Sequence, residues 1–318
     1  MNRILIFGEV LIDLFATQTE VPHPGVRHFH FEGAPGGAPC NVAANLARLG
    51  LPVSLITGLA DDPPGIKLRE MLGERGIDLG YSVTYPDSST PLATVATRPD
   101  GERSFRLYLR GSILDHLSPA TLDLNCVNGA GWFHFGSVLL AFGNPKDATL
   151  SLLKEVRRRG SIISCDINIR PDVWKAGDVS LAVLLEVLPY VHLVKCSDED
   201  LSWLAAHVDS RLSSPRALLR DECRLVAYTR GKEGAVLLAE GSEVGVPAPS
   251  VQVVDTTGAG DAFTAGLIAY LYQQGVCSVA ELERVARDRD SLAAAGEMAR
   301  TCAGRILGQR GAMPPMAE

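Results

Sequence analysis

A turn of small residues in the C-terminal third of the chain ends in an acid, with the sequence Asp255-Thr256-Thr257-Gly258-Ala259-Gly260-Asp261. An apolar stretch at 262–271 follows and predicts a helix. Small residues let backbone N–H groups converge, and a helix N-terminus adds unpaired donors, so the turn could hold a developing anion. Asp261 could then take a proton from an attacking hydroxyl. The alternative is that Asp261 only caps the helix.

Two further polar segments offer groups that bind ligands. Gly36-Gly37 allows close approach of the backbone to a ligand, and Asn41 carries both a donor and an acceptor for hydroxyls. In the segment 166–174, alternate positions place Asp166, Asn168 and Arg170 on one side of an extended chain, so that an acid, an amide and a guanidinium can converge.

Two more segments of this kind come later in the chain. The acids of Lys195-Cys196-Ser197-Asp198-Glu199-Asp200 lie at the start of a predicted helix, where capping and the helix dipole are the alternative explanation. The turn 229–234 begins with Thr229, whose hydroxyl suits a phosphate. All four segments follow predicted strands, and a doubly wound sheet collects its ligands at the carboxyl ends of its strands.

The elements that position these segments predict an α/β fold: a doubly wound, mainly parallel sheet with helices on both faces. Beyond residue 130, strands alternate with helices, and this alternation is typical of such a sheet. Two β-rich segments, 14–35 and 81–112, predict a small β-sheet that covers the site as a lid. The large domain then comprises 1–13, 36–80 and 113–318. The predicted helices are 41–49, 65–72, 146–159, 179–188, 199–207 and two that begin near 261 and 291.

Composition excludes several classes of protein. The chain has 318 residues, 46% of them hydrophobic, with a net charge of -7, and it lacks the clustered Lys and Arg that nucleic-acid binding needs. No apolar stretch approaches the length of a membrane span. Seven scattered cysteines without a Cys-x-x-Cys pair predict reduced thiols in a cytoplasmic protein. The P-loop and the Gly-x-Gly-x-x-Gly fingerprint are both missing, which removes the main support for P-loop NTPases and Rossmann dehydrogenases.

Two long motifs carry a resemblance to a known family. Gly36-Gly37 with Asn41, Ala43 and 47–50, together with 255–261, resembles the two signatures of the ribokinase-like (PfkB-type) carbohydrate kinases, and the match runs from Ile4 to about Pro314. The resemblance implies ATP-dependent transfer of the γ-phosphoryl group to a sugar hydroxymethyl, with ATP and Mg²⁺ as cofactors. The expected partner is a small-molecule sugar, and the composition gives no reason to expect a nucleic-acid or membrane partner.

The resemblance also implies roles for individual residues. Asp261 is the base, Gly258, Ala259 and Gly260 form the anion hole, and Arg170 faces the phosphates. Sugar hydroxyls are held by Asp13, Gly36, Gly37 and Asn41. The nucleotide and its phosphates are contacted by Asn168, Lys195, Ser197, Thr229, Gly231 and Gly234. Asp200 or its rival Glu199 orders Mg²⁺, and Asp255 and Thr257, with carbonyls near Gly311, surround a monovalent cation such as K⁺.

The choice of sugar rests on shorter motifs. Asp166-x-Asn168-x-Arg170-Pro171-x-x-Trp174, Gly8-Glu9 and the segment 101–105 resemble the fructokinase branch and its neighbour, the 2-keto-3-deoxygluconate kinases. Fructose is the favoured substrate. The keto acid is the alternative, because the chain has 112–115 where fructokinases commonly show Ser-Ala-Asp, and because Arg110 with Tyr108 could bind a carboxylate.

Two other expectations complete the prediction. A catalytically silent sugar- or nucleotide-binding protein is the non-enzyme alternative, and the retention of Asp261 beside Gly-Ala-Gly argues against it. Small exposed sheets leave edges that another chain can pair with, so the lid also predicts a homodimer.

Overall fold

Fourteen strands and nine α-helices make up the part of the chain that the structure, a computed structural model, describes: residues 2–17, 30–97 and 103–313. The strands are β1 Arg3–Phe7, β2 Leu11–Thr17, β3 His30–Gly36, β4 Val53–Ile56, β5 Gly58–Ala60, β6 Val83–Tyr85, β7 Leu92–Thr97, β8 Arg103–Tyr108, β9 Ala130–Gly136, β10 Ile162–Asp166, β11 Leu193–Ser197, β12 Leu225–Thr229, β13 Ala235–Ala239 and β14 Ser242–Val246. The helices are α1 Ala38–Arg48, α2 Pro63–Glu74, α3 Gly143–Arg158, α4 Pro171–Ala176, α5 Leu184–Val187, α6 Asp198–His207, α7 Ala259–Gln273, α8 Val279–Arg287 and α9 Arg289–Leu307.

The large sheet has eight strands in the order β14-β13-β12-β11-β10-β9-β1-β4. Every pairing from β4 to β12 is parallel, and β13 and β14 add an antiparallel edge. Parallel strands buried on both faces need continuous apolar runs, and β1 supplies one in Ile4-Leu5-Ile6-Phe7, which is fully buried. Each face of the sheet is therefore covered by its own apolar core.

Helices cover both of these cores. On one face, Leu152 of α3 and Leu204 of α6 belong to the same apolar core as Phe133 of β9. On the other, Leu46 of α1 and Leu267 of α7 pack against the opposite side of the strands. The predicted α/β class, with a mainly parallel sheet and helices on both faces, is therefore confirmed.

A separate four-stranded sheet has the order β3-β2-β7-β8. Strand β2 pairs antiparallel with β3 and parallel with β7, and β8 returns antiparallel to β7. This sheet begins at Leu11, three residues before the predicted boundary. Residues 83–85 pair with β5 in a two-stranded sheet instead. Positions 18–29 and 98–102 of the predicted lid lie outside the described residues, and the division of the chain into two domains stays a prediction.

Three helical segments differ from the prediction, and the first is the short helix α4, which was not predicted. The helix predicted at 179–188 is reduced to one short turn, α5, with 3₁₀ turns on either side. Pro189, which has no N–H to continue a helix, lies in the second of these turns. Helix α8 was not predicted, although Ser278 caps it by accepting a hydrogen bond from Glu281 N, the Ser-x-x-Glu pattern of a helix start.

The parallel strands bring the predicted polar segments together. Strands β1, β10, β11 and β12 run in one direction, so their carboxyl ends lie along one edge of the sheet. Asp166, Ser197 and Thr229 are the last residues of three of them. Within the described ranges, no helix combines the length and apolar character needed to cross a bilayer.

Candidate active site

A cleft of about 400 Å³ opens at this edge of the sheet, with Ala93 and Leu107 of the small sheet in its wall. It contains most of the predicted site residues, which come from segments far apart in the sequence: Asp13, Gly37, Asn41, Asn168, Arg170, Lys195, Ser197, Glu199, Asp200, Thr229, Gly231, Thr257, Gly258, Gly260 and Asp261. Glu9 and Thr256 line it as well. A volume of this size is typical of small-molecule sites.

Asp261 lies in the first turn of α7 and is buried. Asn41 Nδ2 donates a hydrogen bond to Asp261 Oδ2 at 2.7 Å. Burial raises the pKa of Asp261 above its usual range, while the hydrogen bond from Asn41 and the positive charges of Lys195 and Arg170 oppose this rise. A carboxylate with a raised pKa in a cleft can serve as a general base.

The backbone at the start of α7 supplies donors, but not the three that the sequence predicted. Gly258 is the N-cap, with a φ of 76°. The amides of Gly260 and Asp261 lie in the first helical turn, where no carbonyl four residues earlier in the helix can accept from them. The amide of Ala259 donates instead to Thr256 O at 3.3 Å. Of the three amides predicted to form the anion hole, that of Ala259 therefore already has a hydrogen-bond partner within the turn.

The glycine pair before α1 permits close approach within the protein. Gly37 has a φ of 102°, and a Cβ there would lie 2.3 Å from Glu9 O. A Cβ at Gly36 would lie 2.4 Å from Asp13 Oδ2. Gly36 pairs with Leu11 in the small sheet and is not part of the cleft wall, so it acts by making room for Asp13.

A buried ion pair lies next to the base. Lys195 Nζ is 3.0 Å from Asp166 Oδ1, and both side chains are almost fully buried. Burial alone would lower the pKa of Lys195, but the carboxylates of Asp166 and Asp200 outweigh it and hold that pKa above its usual value. The cleft therefore contains a permanent cation at Lys195 besides the exposed guanidinium of Arg170.

Both carboxylate oxygens of Asp200 accept hydrogen bonds from backbone amides. Its Oδ1 accepts from Ile169 N at 2.7 Å, and its Oδ2 accepts from Ser197 N at 2.8 Å in a capping box at the start of α6. The side chain thus connects the loop after β10 to the loop after β11. Glu199 is exposed at the cleft and makes no such bonds to the residues that the structure describes. Among the described residues, no group of three metal-ligating side chains is present.

A second cavity, of about 480 Å³, shares Thr229, Gly231, Thr256 and Gly260 with the cleft. Gly234 and Ala259 lie here, with Phe263, Pro247 and Leu307 among the mostly apolar walls. A mostly apolar cavity that joins a polar cleft suits a nucleotide, because the flat base can lie in the cavity and the phosphates in the cleft. These apolar residues were not predicted as part of the site, because at helical and strand spacing they look like ordinary core residues.

Asp255 connects the turn before α7 to the C-terminal segment. Its Oδ1 accepts from Thr257 N at 2.8 Å, and its Oδ2 accepts from Gly311 N at 3.0 Å. The three residues predicted around a monovalent cation are therefore neighbours in the structure.

Arg110 and Tyr108 are not brought to the cleft. Arg110 Nε donates to Ala176 O at 3.0 Å, and its guanidinium lies 3.5 Å from Asp178 and over the ring of Phe142. Tyr108 follows cleft-lining Leu107 in a strand, so it points to the other face, and it is 51% exposed. The placement gives no support to the predicted contact with a substrate carboxylate.

Comparison with known proteins assigns the class. The whole chain, residues 1–318, matches the model of the pfkB family carbohydrate kinases. A fructokinase of Klebsiella pneumoniae is 33% identical over 315 residues, covering 98% of this chain and 95% of the relative.

Two solved structures are also similar. The fructokinase of Xylella fastidiosa with bound ATP has a TM-score of 0.87 at 29% identity, covering 98% of this chain and 94% of the other. The fructokinase of Vibrio cholerae O395 in a fructose-, ADP- and calcium-bound form has a TM-score of 0.79 at 26% identity, covering 98% of this chain and 95% of the other.

The fold and cleft thus define a sugar-phosphorylating enzyme of the α/β class. The chain belongs to the pfkB family of carbohydrate kinases, which confirms the family and the enzyme class predicted from its two signatures.

Proposed function

We propose that this protein is an ATP-dependent fructokinase that transfers the γ-phosphoryl group of ATP to a hydroxymethyl group of fructose. The observation that carries the proposal is the placement of Asp261, which is buried at the cleft, hydrogen-bonded to Asn41 and located in the first turn of α7. In this reaction Asp261 takes the proton of the attacking hydroxyl, and the amides of Gly260 and Asp261, with Gly258 in the same turn, face the negative charge on the transferred group.

The sugar end of the cleft suits an uncharged polyol. Asp13, Asn41 and the backbone at Gly37 present acceptors and donors for hydroxyl groups. Arg110 is occupied by Ala176 and Asp178, which disfavours 2-keto-3-deoxygluconate. The relatives named fructokinase and the fructose-bound neighbour support the same choice.

The phosphate end supplies positive charge and polar contacts. Arg170, Lys195 and Asn168 face the cleft where the triphosphate would lie, while Ser197, Thr229, Gly231 and Gly234 lead to the apolar cavity that would hold the base. Phosphoryl transfer needs positioning and charge neutralisation more than covalent chemistry, so this set is sufficient on the protein's side.

Two cations belong to the proposal. Mg²⁺ prefers phosphate oxygens, water and few carboxylates. Of the two acids predicted to order it, Glu199 is favoured, because it is exposed at the cleft whereas both oxygens of Asp200 accept from backbone amides. When bound, the metal neutralises phosphate charge. A monovalent cation such as K⁺ is proposed at Asp255 and Thr257, where the loop before α7 meets Gly311.

Assembly and location stay predictions. The small sheet exposes Phe31 at 53% and Tyr108 at 51%, which supports pairing of two copies through this sheet. Sedimentation that shows a concentration-independent monomer would reject the homodimer. The cytoplasmic location rests on the cysteine pattern of the sequence.

An ATP-consumption screen tests the substrate. The purified protein is incubated with ATP and Mg²⁺ and, in turn, fructose, 2-keto-3-deoxygluconate, ribose, tagatose 6-phosphate and nucleosides. We expect the highest kcat/KM for fructose. A preference for the keto acid would overturn the choice of sugar, and fructose binding without ADP formation would indicate the silent binding protein.

A further inference from the structure

Glu9 is a buried carboxyl in the cleft wall that the proposed reaction does not use. It follows β1 by two residues and is 2% exposed. Its Oε1 accepts a hydrogen bond from Ala38 N, in the first turn of α1, at 3.2 Å. Its Oε2 is out of reach of solvent and has no hydrogen bond of normal geometry to any described residue.

This arrangement suits a neutral acid better than a carboxylate. An ionised oxygen that has neither water nor a well-aligned donor carries a large free-energy penalty, whereas a protonated carboxyl avoids it. Burial raises the pKa of Glu9 to about 7, against the lowering effect of the backbone amides of Glu9 and Ala38. The charged or titratable groups that face Glu9 are Asp261 on α7, which raises that pKa further, Arg170 before α4, which lowers it, and the Cys40 thiol on α1.

The contacts of Glu9 lead directly to the base. Its side chain accepts from Ala38 N, and its backbone oxygen lies so close to Gly37 that a Cβ there would be only 2.3 Å away. One helical turn further along α1, Asn41 donates to Asp261 Oδ2. Glu9 thus fixes the beginning of the helix whose next turn orients the catalytic carboxylate.

We propose that Glu9 is a positioning residue of the phosphoryl-acceptor end that works in its protonated form. One oxygen fixes the first turn of α1 and thereby Asn41, and the lack of charge leaves Asp261 as the ionised carboxyl that accepts the proton. Two neighbouring carboxyls then have different roles because their surroundings differ. The inference rests on the proposed kinase reaction for the role of Asp261.

Kinetics of Glu9→Gln test the inference, because glutamine keeps an acceptor for Ala38 N and cannot ionise. At pH 6.5 we expect kcat and kcat/KM for the best sugar within about threefold of the unmodified enzyme, since no transition-state contact is lost. The unmodified enzyme loses kcat/KM as Glu9 ionises above neutral pH, and this alkaline limb should move to higher pH in the variant. Glu74→Gln, on the exposed end of α2, is the matched control and should leave the profile unchanged.

Two kinetic results would overturn the inference. A loss of more than about tenfold in kcat/KM for Glu9→Gln at pH 6.5 would show that the carboxylate form is needed. An alkaline limb identical in the variant and the unmodified enzyme would show that ionisation of Glu9 does not matter. Glu9→Ala, which removes the bond to Ala38, should lower kcat by about tenfold or more, and its thermal unfolding shows whether it is folded.

Difference infrared spectroscopy of the protein without substrates gives a readout that does not depend on activity. The C=O stretching band of a protonated, buried carboxyl should be present at pH 6, disappear above neutral pH and be missing in Glu9→Gln. Its absence from the unmodified protein at pH 6 would overturn the neutral state. Because no turnover is measured, this result is separate from any failure of the proposed reaction.

Discussion

Asn41 Nδ2 donates a hydrogen bond to Asp261 Oδ2 at 2.7 Å, although the two residues are 220 positions apart in the sequence. The bond fixes one oxygen of the carboxylate and leaves the other, Oδ1, for the substrate hydroxyl. Asn41 was predicted to hold the sugar, and the structure adds a role in orienting the base. Asn41 Oδ1 is buried without a hydrogen-bond partner among the described residues.

Asp261→Asn should lower kcat by about 10² to 10⁴, the range for loss of a general base, because the amide cannot accept the hydroxyl proton. Binding of ATP should be retained, since the amides at the start of α7 are unchanged. Steady-state kinetics and calorimetric titration with ATP measure the two quantities. An unchanged kcat would remove Asp261 from its proposed role.

Asn41→Ala should lower kcat by about 10- to 100-fold, which corresponds to the loss of a hydrogen bond to a charged group, about 1.5–3 kcal/mol. That hydrogen bond lowers the pKa of Asp261, so its removal should raise the pKa and move the acid limb of the kcat/KM profile to higher pH. The control is Asn128→Ala, at an exposed asparagine far from the cleft. An acid limb that stays in place would contradict the pairing.

Arg170 and Arg110 should respond differently to replacement by alanine. Arg170 lines the cleft, and its loss should lower kcat by about 10²- to 10³-fold, as for other groups that stabilise a developing anion. Arg110 is held by Ala176 and Asp178, so kcat/KM for fructose should change by less than about threefold. A large rise in KM for Arg110→Ala would indicate that Arg110 contacts the substrate and would favour the keto acid.

Stability without ligands should depend on pH through Glu9. Its pKa is raised from 4.5 to about 7 on folding, so the folded state binds more protons between these values. The contribution of Glu9 protonation to the free energy of unfolding is fully present below about pH 4.5 and is lost as the pH rises through about 7. Relative to Glu9→Gln, the unmodified protein should lose up to about 3 kcal/mol in the free energy of unfolding between pH 4.5 and 8. Urea unfolding of both proteins measures this, and a constant difference would contradict the raised pKa.

Much of the cleft could be predicted because its polar residues end apolar strands. Asp166, Ser197 and Thr229 mark the carboxyl ends of three parallel strands, and the direction of a parallel sheet then brings them to one edge. The α/β class followed from the same alternation of strands and helices. These predictions needed only local patterns and the geometry of the sheet.

The contacts between segments could not be predicted in the same way. The carboxylate of Asp200 was considered as a metal ligand, but its oxygens accept from Ile169 N and Ser197 N, which only the folded arrangement of two loops reveals. Arg110 was expected to bind substrate, but its Nε donates a hydrogen bond to the backbone carbonyl of Ala176. Whether a polar side chain binds a ligand or forms a hydrogen bond within the protein depends on partners that are distant in sequence.

The long separation between Asn41 and Asp261 has a consequence during synthesis. The N-terminal strands and α1 emerge from the ribosome well before the turn that carries the base. Asp255 in turn accepts a hydrogen bond from Gly311 N, 56 positions further along. A nascent polypeptide therefore cannot orient its base through Asn41 until the turn before α7 has been translated, and it cannot complete the contact of that turn with Gly311 until still later.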